Sequence, residues 1–457
     1  MVKMSFKFLS ANINLRLLLA LFLMSQIICN SPARADEASN FHIITIQDAI
    51  NTAIKNNPKI LQAREKINQD LAATSLTKSI LYPTLNLTGT AMYQQPAVSA
   101  TGASAFGGQP YNSYNIDLKL TQPLFAYGSL AAIRNSDFER QINLVDIEIA
   151  ERDLSSKVIQ AFYNVILNQK LLELLSRQQE VLLETLKTSQ SRYHTGRGQL
   201  LDVLQVKTQI ALLKPQIISA QNDIVTSAAN LTTLMGGVPQ VETKLRGRLS
   251  RVPISTIDAH VDLKHSRLLE LERIRLGRLQ LTELKDQTSG KHYPNMALVA
   301  DIGSNSYTKA DIFSNYSQFW GVGLQLTIPL FSGLSSIHEQ RGLASQDYQL
   351  EFQSRSQTES LQLSQLTARK TLESSEASLA SAEEASNLAR ESVAEAKRNY
   401  RLATIDFLVF LTVQKSQLTA DQSFFQTQFN AILAMSNYFT ASGQPISNLI
   451  DLLAEKK

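Results

Sequence analysis

Apolar positions along this chain switch between two periods. In four short stretches every second residue is apolar, the spacing of a strand with one apolar face. These are Leu85, Leu87, Ala91 and Tyr93; Ile116, Leu118 and Leu120; Met296, Leu298, Ala300 and Ile302; and Trp320, Val322, Leu324 and Leu326. In the first pair the alternate positions are polar, Thr84, Asn86, Thr88 and Thr90 against Asn115, Asp117, Lys119 and Thr121. Gln94 to Tyr114, rich in Gly, Ala, Ser and Pro, reads as a long loop. Helical patterns fill most of the rest. Short ones cover Ile46–Ile54 and, after the break at Asn57-Pro58, run to Lys78. Long ones run from about Leu130 to Arg192 and back from Leu200 to about Met235, then from about Leu334 to Asn399 and back from Ile405 to Thr440. At 1.5 Å per residue a helix of some 60 residues spans roughly 90 Å. Such helices are too long for a compact core and are expected to pack along one another as coiled coils. Pro215 is expected to kink the first return helix.

The pattern is doubled. Leu118-Lys119-Leu120-Thr121-Gln122-Pro123-Leu124-Phe125-Ala126-Tyr127-Gly128 is matched by Leu324-Gln325-Leu326-Thr327-Ile328-Pro329-Leu330-Phe331-Ser332-Gly333, so Pro123 and Pro329 lie 206 positions apart. Each copy reads as strand, Pro, apolar pair, then a Gly (Gly128, Gly333) that opens a long helix. Tyr82-Pro83 and Tyr293-Pro294 precede the two hairpins in the same way. A repeat of this size sets the organisation: a first unit over 36–238 with a hairpin at about 83–124 and a helix pair at about 129–236; a connector over 239–261; a second unit over 262–442 with a hairpin at about 294–330 and a helix pair at about 334–440; and a tail over 443–457.

Composition changes the picture chiefly at the N-terminus. Residues 1–35 have the form of a secretory leader: Lys3, Lys7 and Arg16, an apolar run from Leu17 to about Cys29, and Ala33-Arg34-Ala35 before the expected cleavage. That run is shorter than the about 20 apolar residues of a comfortable membrane span. The leader holds four of the 44 basic residues and no acid, so 40 remain against 40 acids, and the expected partners include no nucleic acid. It also holds the single Cys, which leaves no thiol for a disulfide or a metal. No later segment has the length and hydropathy of a membrane-spanning helix, so any renewed membrane contact falls to the strands. A soluble sheet packed on a core fits the same alternation, but the leader and the aromatic strand ends (Tyr82, Tyr93, Tyr293, Trp320) favour a membrane barrel. Four strands cannot close one, since about eight is the smallest usual number. Several chains must therefore assemble.

Catalytic signatures are missing. The sequence has no phosphate-binding loop, no Gly-x-Ser-x-Gly, and six scattered histidines (42, 194, 260, 265, 292 and 338) with no metal-binding helical pair. Neither an enzyme nor a cofactor is expected.

Taken in order, the paired Pro-Leu-Phe junctions, Asn57-Pro58 and the turn Arg192-Tyr193-His194-Thr195-Gly196 before Leu201-Asp202-Val203-Leu204 resemble the TolC family of outer-membrane efflux proteins. The resemblance implies an α+β membrane protein, a homotrimer whose four strands per chain close a twelve-stranded barrel in outer-membrane lipid. Long antiparallel helices would form an α-barrel extending into the periplasm. It further implies a passive export duct of a tripartite efflux pump or type I secretion system, with a periplasmic adaptor (membrane fusion protein) and an inner-membrane transporter as partners. The alternative is a trimeric coiled-coil structural or adhesive surface protein with a soluble β region. In the family the helix-to-helix turns form a gated tunnel entrance, which here points to Tyr193 to Gly198 and Tyr400 to Thr404. Tyr193, Gly196, Asp202, Tyr400 and Asp406 are its candidate residues, and a Tyr400 hydroxyl donating to Asp202 would make a charge-assisted latch. The acids are not repeated: nine residues past Tyr193 is Asp202, but nine past Tyr400 is Val409, with Thr412 beyond. Gly196 can take positive φ, whereas Ala403 in the second turn does not do so freely.

Overall fold

The structure, a computed structural model of one chain, describes residues 44–95, 110–238, 245–249, 252–261, 267–309, 311–312, 318–402 and 404–454. The leader, Gly102–Gly108, Phe313, Tyr316, His42, His265, Pro239 and Ala403 lie outside the described residues.

Helix α1 (Ile46–Asn56) opens on a capping box in which Thr45 and Asp48 bond reciprocally. Asn57 ends it and caps α2 (Pro58–Ser79), its side-chain oxygen accepting from the Lys59 N–H at 2.9 Å. The Asn57 amide also donates to the Leu234 carbonyl at 2.8 Å, so the Asn57-Pro58 break fastens two helix ends. Strands β1 (Thr84–Gln94) and β2 (Tyr111–Phe125) follow, then helices α3 (Tyr127–His194) and α4 (Leu200–Leu234). The rest of the chain carries α5 (Ile254–His260), α6 (Leu269–Ser289), β3 (Asn295–Ser306), β4 (Gln318–Thr327), α7 (Ser335–Arg401), α8 (Phe407–Ala441) and α9 (Ile446–Ala454).

The long helices are longer than their pattern predicts. Helix α3 has 68 residues and α7 has 67, about 100 Å each at 1.5 Å per residue. Helix α4 continues through Pro215 as one element of 35 residues. The expected connector and tail each contain a helix, α5 and α9, because Ile257 and Leu449 are buried apolar anchors there.

The four strands form one antiparallel sheet in the order β1-β2-β3-β4, so the two hairpins join through β2 and β3. Register aligns the apolar positions across all four strands. Leu87 faces Leu118, Leu118 faces Ile302 and Ile302 faces Trp320; one pair further on stand Leu85, Leu120, Ala300 and Val322. A slip of one residue in any strand would turn its apolar set to the other face.

The main core lies at mid-length of α3. Val158, Ile159, Phe162 and Val165 of α3 meet Ile50 of α1, Leu231 of α4, Phe439 of α8 and Leu449 of α9. Burial of each such side chain contributes roughly 1.5–3 kcal/mol. A second apolar seam follows α3, α4, α7 and α8 toward the helix turns and includes Leu182, Val206, Leu213, Tyr400 and Phe410. The sheet thus stands at one end of the rods and the turns at the other.

Candidate functional site

The apolar face of the sheet is uncovered. Leu87, Tyr93 and Trp320 are 72%, 73% and 79% exposed, and Val322, Leu324 and Leu326 are exposed beside them. Alternation that packs on nothing within its own chain is what a lipid-facing strand shows. The other face is polar, with Asn86, Lys119 and Asp301 in one row, and Thr88 and Asp117 in the next. No helix among the described residues is long and apolar enough to cross a membrane.

Both strand-to-helix junctions exist, but their glycines do different work. At the first, the β2–β3 register shifts between Pro123 and Phe125, and the Gln122 amide donates to the Leu81 and Pro123 carbonyls at 2.8 Å. Gly128 then lies against Gly290: a Cβ on Gly290 would come within 2.7 Å of the Gly128 backbone. The rings of Tyr127 and Tyr293 pack beside them at 4.8 Å. At the second, β4 ends before Pro329, and Gly333 and Leu334 both take left-handed backbone, with φ of 64° and 62°. Gly333 has open space where its side chain would be, so its requirement is conformational.

Ion pairs bind α6 to its neighbours. Arg134 meets Glu283, Arg273 meets Asp146, Arg267 meets Glu148 and Arg152 meets Glu270 across the α3–α6 contact. Burial pushes the Glu270 carboxyl up, yet the Arg152 hydrogen bond holds it below its ordinary value. On the α7 side Lys285 and Arg278 both donate to Asp347 at 3.0 Å and hold it below the usual carboxylate value.

At the opposite end α3 closes with a Schellman turn. The Arg197 N–H bonds to the Arg192 carbonyl at 2.8 Å and the Gly196 N–H to the Tyr193 carbonyl at 3.0 Å, with Gly196 at φ 71°. Helix α7 ends with the Thr404 N–H and hydroxyl both bonded to the Asn399 carbonyl, at 3.0 and 2.9 Å. The two tyrosines differ sharply. Tyr193 is 43% exposed, whereas Tyr400 is 8% exposed. The Tyr400 ring lies parallel to Phe410 with centroids 5.1 Å apart, touches Phe407 at 5.4 Å and has the Arg192 guanidinium 4.6 Å above its centroid. No hydrogen bond joins Tyr400 to Asp202 among the described residues. Asp202 stands half-buried in the first turn of α4, and Asp406 caps α8 from an exposed position without a side-chain bond. Arg192, Phe407 and Phe410 were not anticipated; Phe407 and Phe410, three apart on one helical face, were the available signal.

Residues 49–237 match the family model described as outer membrane efflux protein. The chain is 23% identical over 440 residues to the probable efflux pump outer membrane protein TtgC of Pseudomonas putida, covering 88% of this chain and 84% of that one. Over this segment the chain is similar to the outer membrane efflux proteins. The chain is also 23% identical to the alkaline protease secretion protein AprF of Pseudomonas aeruginosa, over 63% of its own length and 61% of that protein. Its fold matches that of VceC from Vibrio cholerae with a TM-score of 0.72 at 16% identity, over 87% of this chain and 96% of that one, and that of CusC with a TM-score of 0.73 at 15% identity, over 90% and 96%. The matched segment runs from within α1 to the end of α4; β3, β4, α7 and α8 follow beyond it in the same order of hairpin and helix pair.

Proposed function

We propose that this chain is the outer-membrane channel of a tripartite efflux pump or type I secretion system, a passive duct closed at its helix turns. The observation that carries this reading is the register-aligned apolar face, exposed on β1 and β4, half-buried on the central strands and covered by no other element, at one end of helices about 100 Å long. A sheet of that kind belongs in lipid, and helices of that length reach across an aqueous compartment.

Closure requires further copies. Strands β1 and β4 are open edges, and exposed apolar residues line both α2 (Leu61, Leu71, Leu76) and α7 (Tyr348, Phe352, Leu363). Within the chain, α3 and β2 of the first unit already pack on α6 and β3 of the second. Repeating that contact from the second unit to the first unit of another copy is head-to-tail, and closes a ring. Three copies supply twelve strands, within the range of membrane barrels.

Nothing in the site supplies energy, so the duct serves an inner-membrane transporter through a periplasmic adaptor. At the turns the Arg192–Tyr400–Phe410 stack ties the two helical hairpins of one chain together and serves as an intrachain latch. Asp202, Tyr193 and Asp406 are left facing neighbouring copies or the lumen. Planar-bilayer recording of the purified protein tests the reading: a trimer with small, stable conductance is expected, and a protein that never inserts overturns it. Heat-modifiable migration on gels separates this duct from a trimeric coiled-coil adhesive protein, which would not show it.

A further inference from the structure

A groove of about 440 Å³ opens between α3, α7 and α8 beside the latch, within the roughly 300–1,000 Å³ of small-molecule sites. Its apolar surface comes from Phe410, Leu418 and Phe425 of α8 with Val181 of α3. Its charge is unbalanced: Arg177, Arg390, Lys397 and Arg401 line it against only Glu184 and Asp421. Asp421 is already committed. It is 4% exposed and accepts from the Ser386 hydroxyl at 2.5 Å and from Arg390 at 3.0 Å. Lys397 reaches Glu184 only at 3.8 Å, and Arg401 has no ion-pair partner among the described residues. The acids therefore leave positive charge over.

A second, independent feature is Gln414, which lines the groove and is 4% exposed. Its side-chain carbonyl has no hydrogen-bond donor among the described residues. A buried acceptor without a donor is unfavourable, so a ligand that supplies one is selected over the same ligand lacking it.

We propose that this groove binds a small aromatic anion carrying a hydroxyl donor. The anion meets Lys397 and Arg401, the rings lie beside Phe410, and the hydroxyl donates to Gln414 one helical turn further on. Since the walls come from both hairpins, an occupant braces them together and holds the turns shut; this consequence rests on the gated-duct reading above.

Calorimetry on the detergent-solubilised full-length protein, with 6-hydroxy-2-naphthoate as the probe, tests the site directly. Saturable binding at one site per chain is expected, about tenfold weaker for 2-naphthoate, which lacks the donor, and absent for 2-naphthylmethylammonium. Gln414→Leu should erase the difference between the two naphthoates, and Lys397→Gln or Arg401→Gln should weaken both by about threefold to tenfold. Equal affinity of the two naphthoates for the unmodified protein, no saturable heat, or preference for the cation would overturn the proposal, and the ligand comparison holds even if a variant fails to fold. In bilayers, 6-hydroxy-2-naphthoate should lower conductance. Conducting channels indifferent to a bound probe overturn the bracing, whereas a protein that binds it and never conducts removes the duct and leaves the site.

Discussion

Tyr193 and Tyr400 hold matching places in the two halves of this chain, yet one stands in solvent and the other is packed between Phe410 and a guanidinium. The junction glycines differ in the same way: Gly290 lets its backbone touch that of Gly128, and Gly333 permits a left-handed turn. The repeat dictates which element comes next and how long it is. It does not dictate what lies beside each copy, because the halves meet through β2 and α3 of the first and β3 and α6 of the second, so matching positions face different neighbours.

That contrast can be broken most severely at the first junction. Gly290→Val drives a side chain into the Gly128 backbone and is expected to cost about 3 kcal/mol or more, seen as loss of the heat-modifiable oligomer. Gly333→Ala, in open space, should cost only about 1–2 kcal/mol for its left-handed backbone. Equal effects would erase the distinction. Next comes the tyrosine pair. Tyr400→Ala should destabilise by about 2–3 kcal/mol and raise single-channel conductance, while Tyr193→Ala stays within about 0.5 kcal/mol. Tyr400→Phe keeps the ring stack and should be nearly silent, which sets the aromatic latch apart from one made by the hydroxyl and Asp202. Arg192→Gln removes the cation above the ring at a cost of about 1 kcal/mol.

The ion pairs around α6 give a pH signature. Asp347 and Glu270 are held below their ordinary values in the folded chain, so their stabilising effect is full above the ordinary carboxylate range and is lost as pH falls through the depressed folded values. Melting temperatures should fall steeply on acidification below about pH 4. Asp347→Asn should flatten that slope, and an unchanged slope in the variant would remove Asp347 from the account. A small gain is expected at Leu334, the non-glycine residue with positive φ among the described residues. Leu334→Gly relieves the left-handed strain but frees the unfolded chain, for a net gain of about 0.5–1 kcal/mol in thermal melts.

Period and punctuation carried most of the architecture. Alternation at Leu85, Leu87 and Trp320, Val322 located the strands, and uninterrupted helical spacing located α3, α4, α7 and α8 to within a few residues. These are local properties, readable wherever side-chain direction repeats every two or 3.6 residues. Helix α9 was missed because nine residues between a turn and the chain end carry a short signal, and its burial depends on α3 and α8. Gly196 was legible as a positive-φ turn because that requirement is local too.

The sequence by itself therefore determined the order and approximate extent of the strands and long helices, the doubled spacing of their patterns, and the presence of an apolar strand face. Tertiary structure decided which hairpins join, that Tyr400 rather than Tyr193 is packed, and that Arg192 and Phe410 are its partners. It also brought Gln414 and Arg401 to one groove. The Arg192 contact spans some 200 residues and the Tyr400–Phe410 and Arg401–Gln414 pairings cross the α7–α8 turn, and in each case only the packing of the long helices sets what meets what.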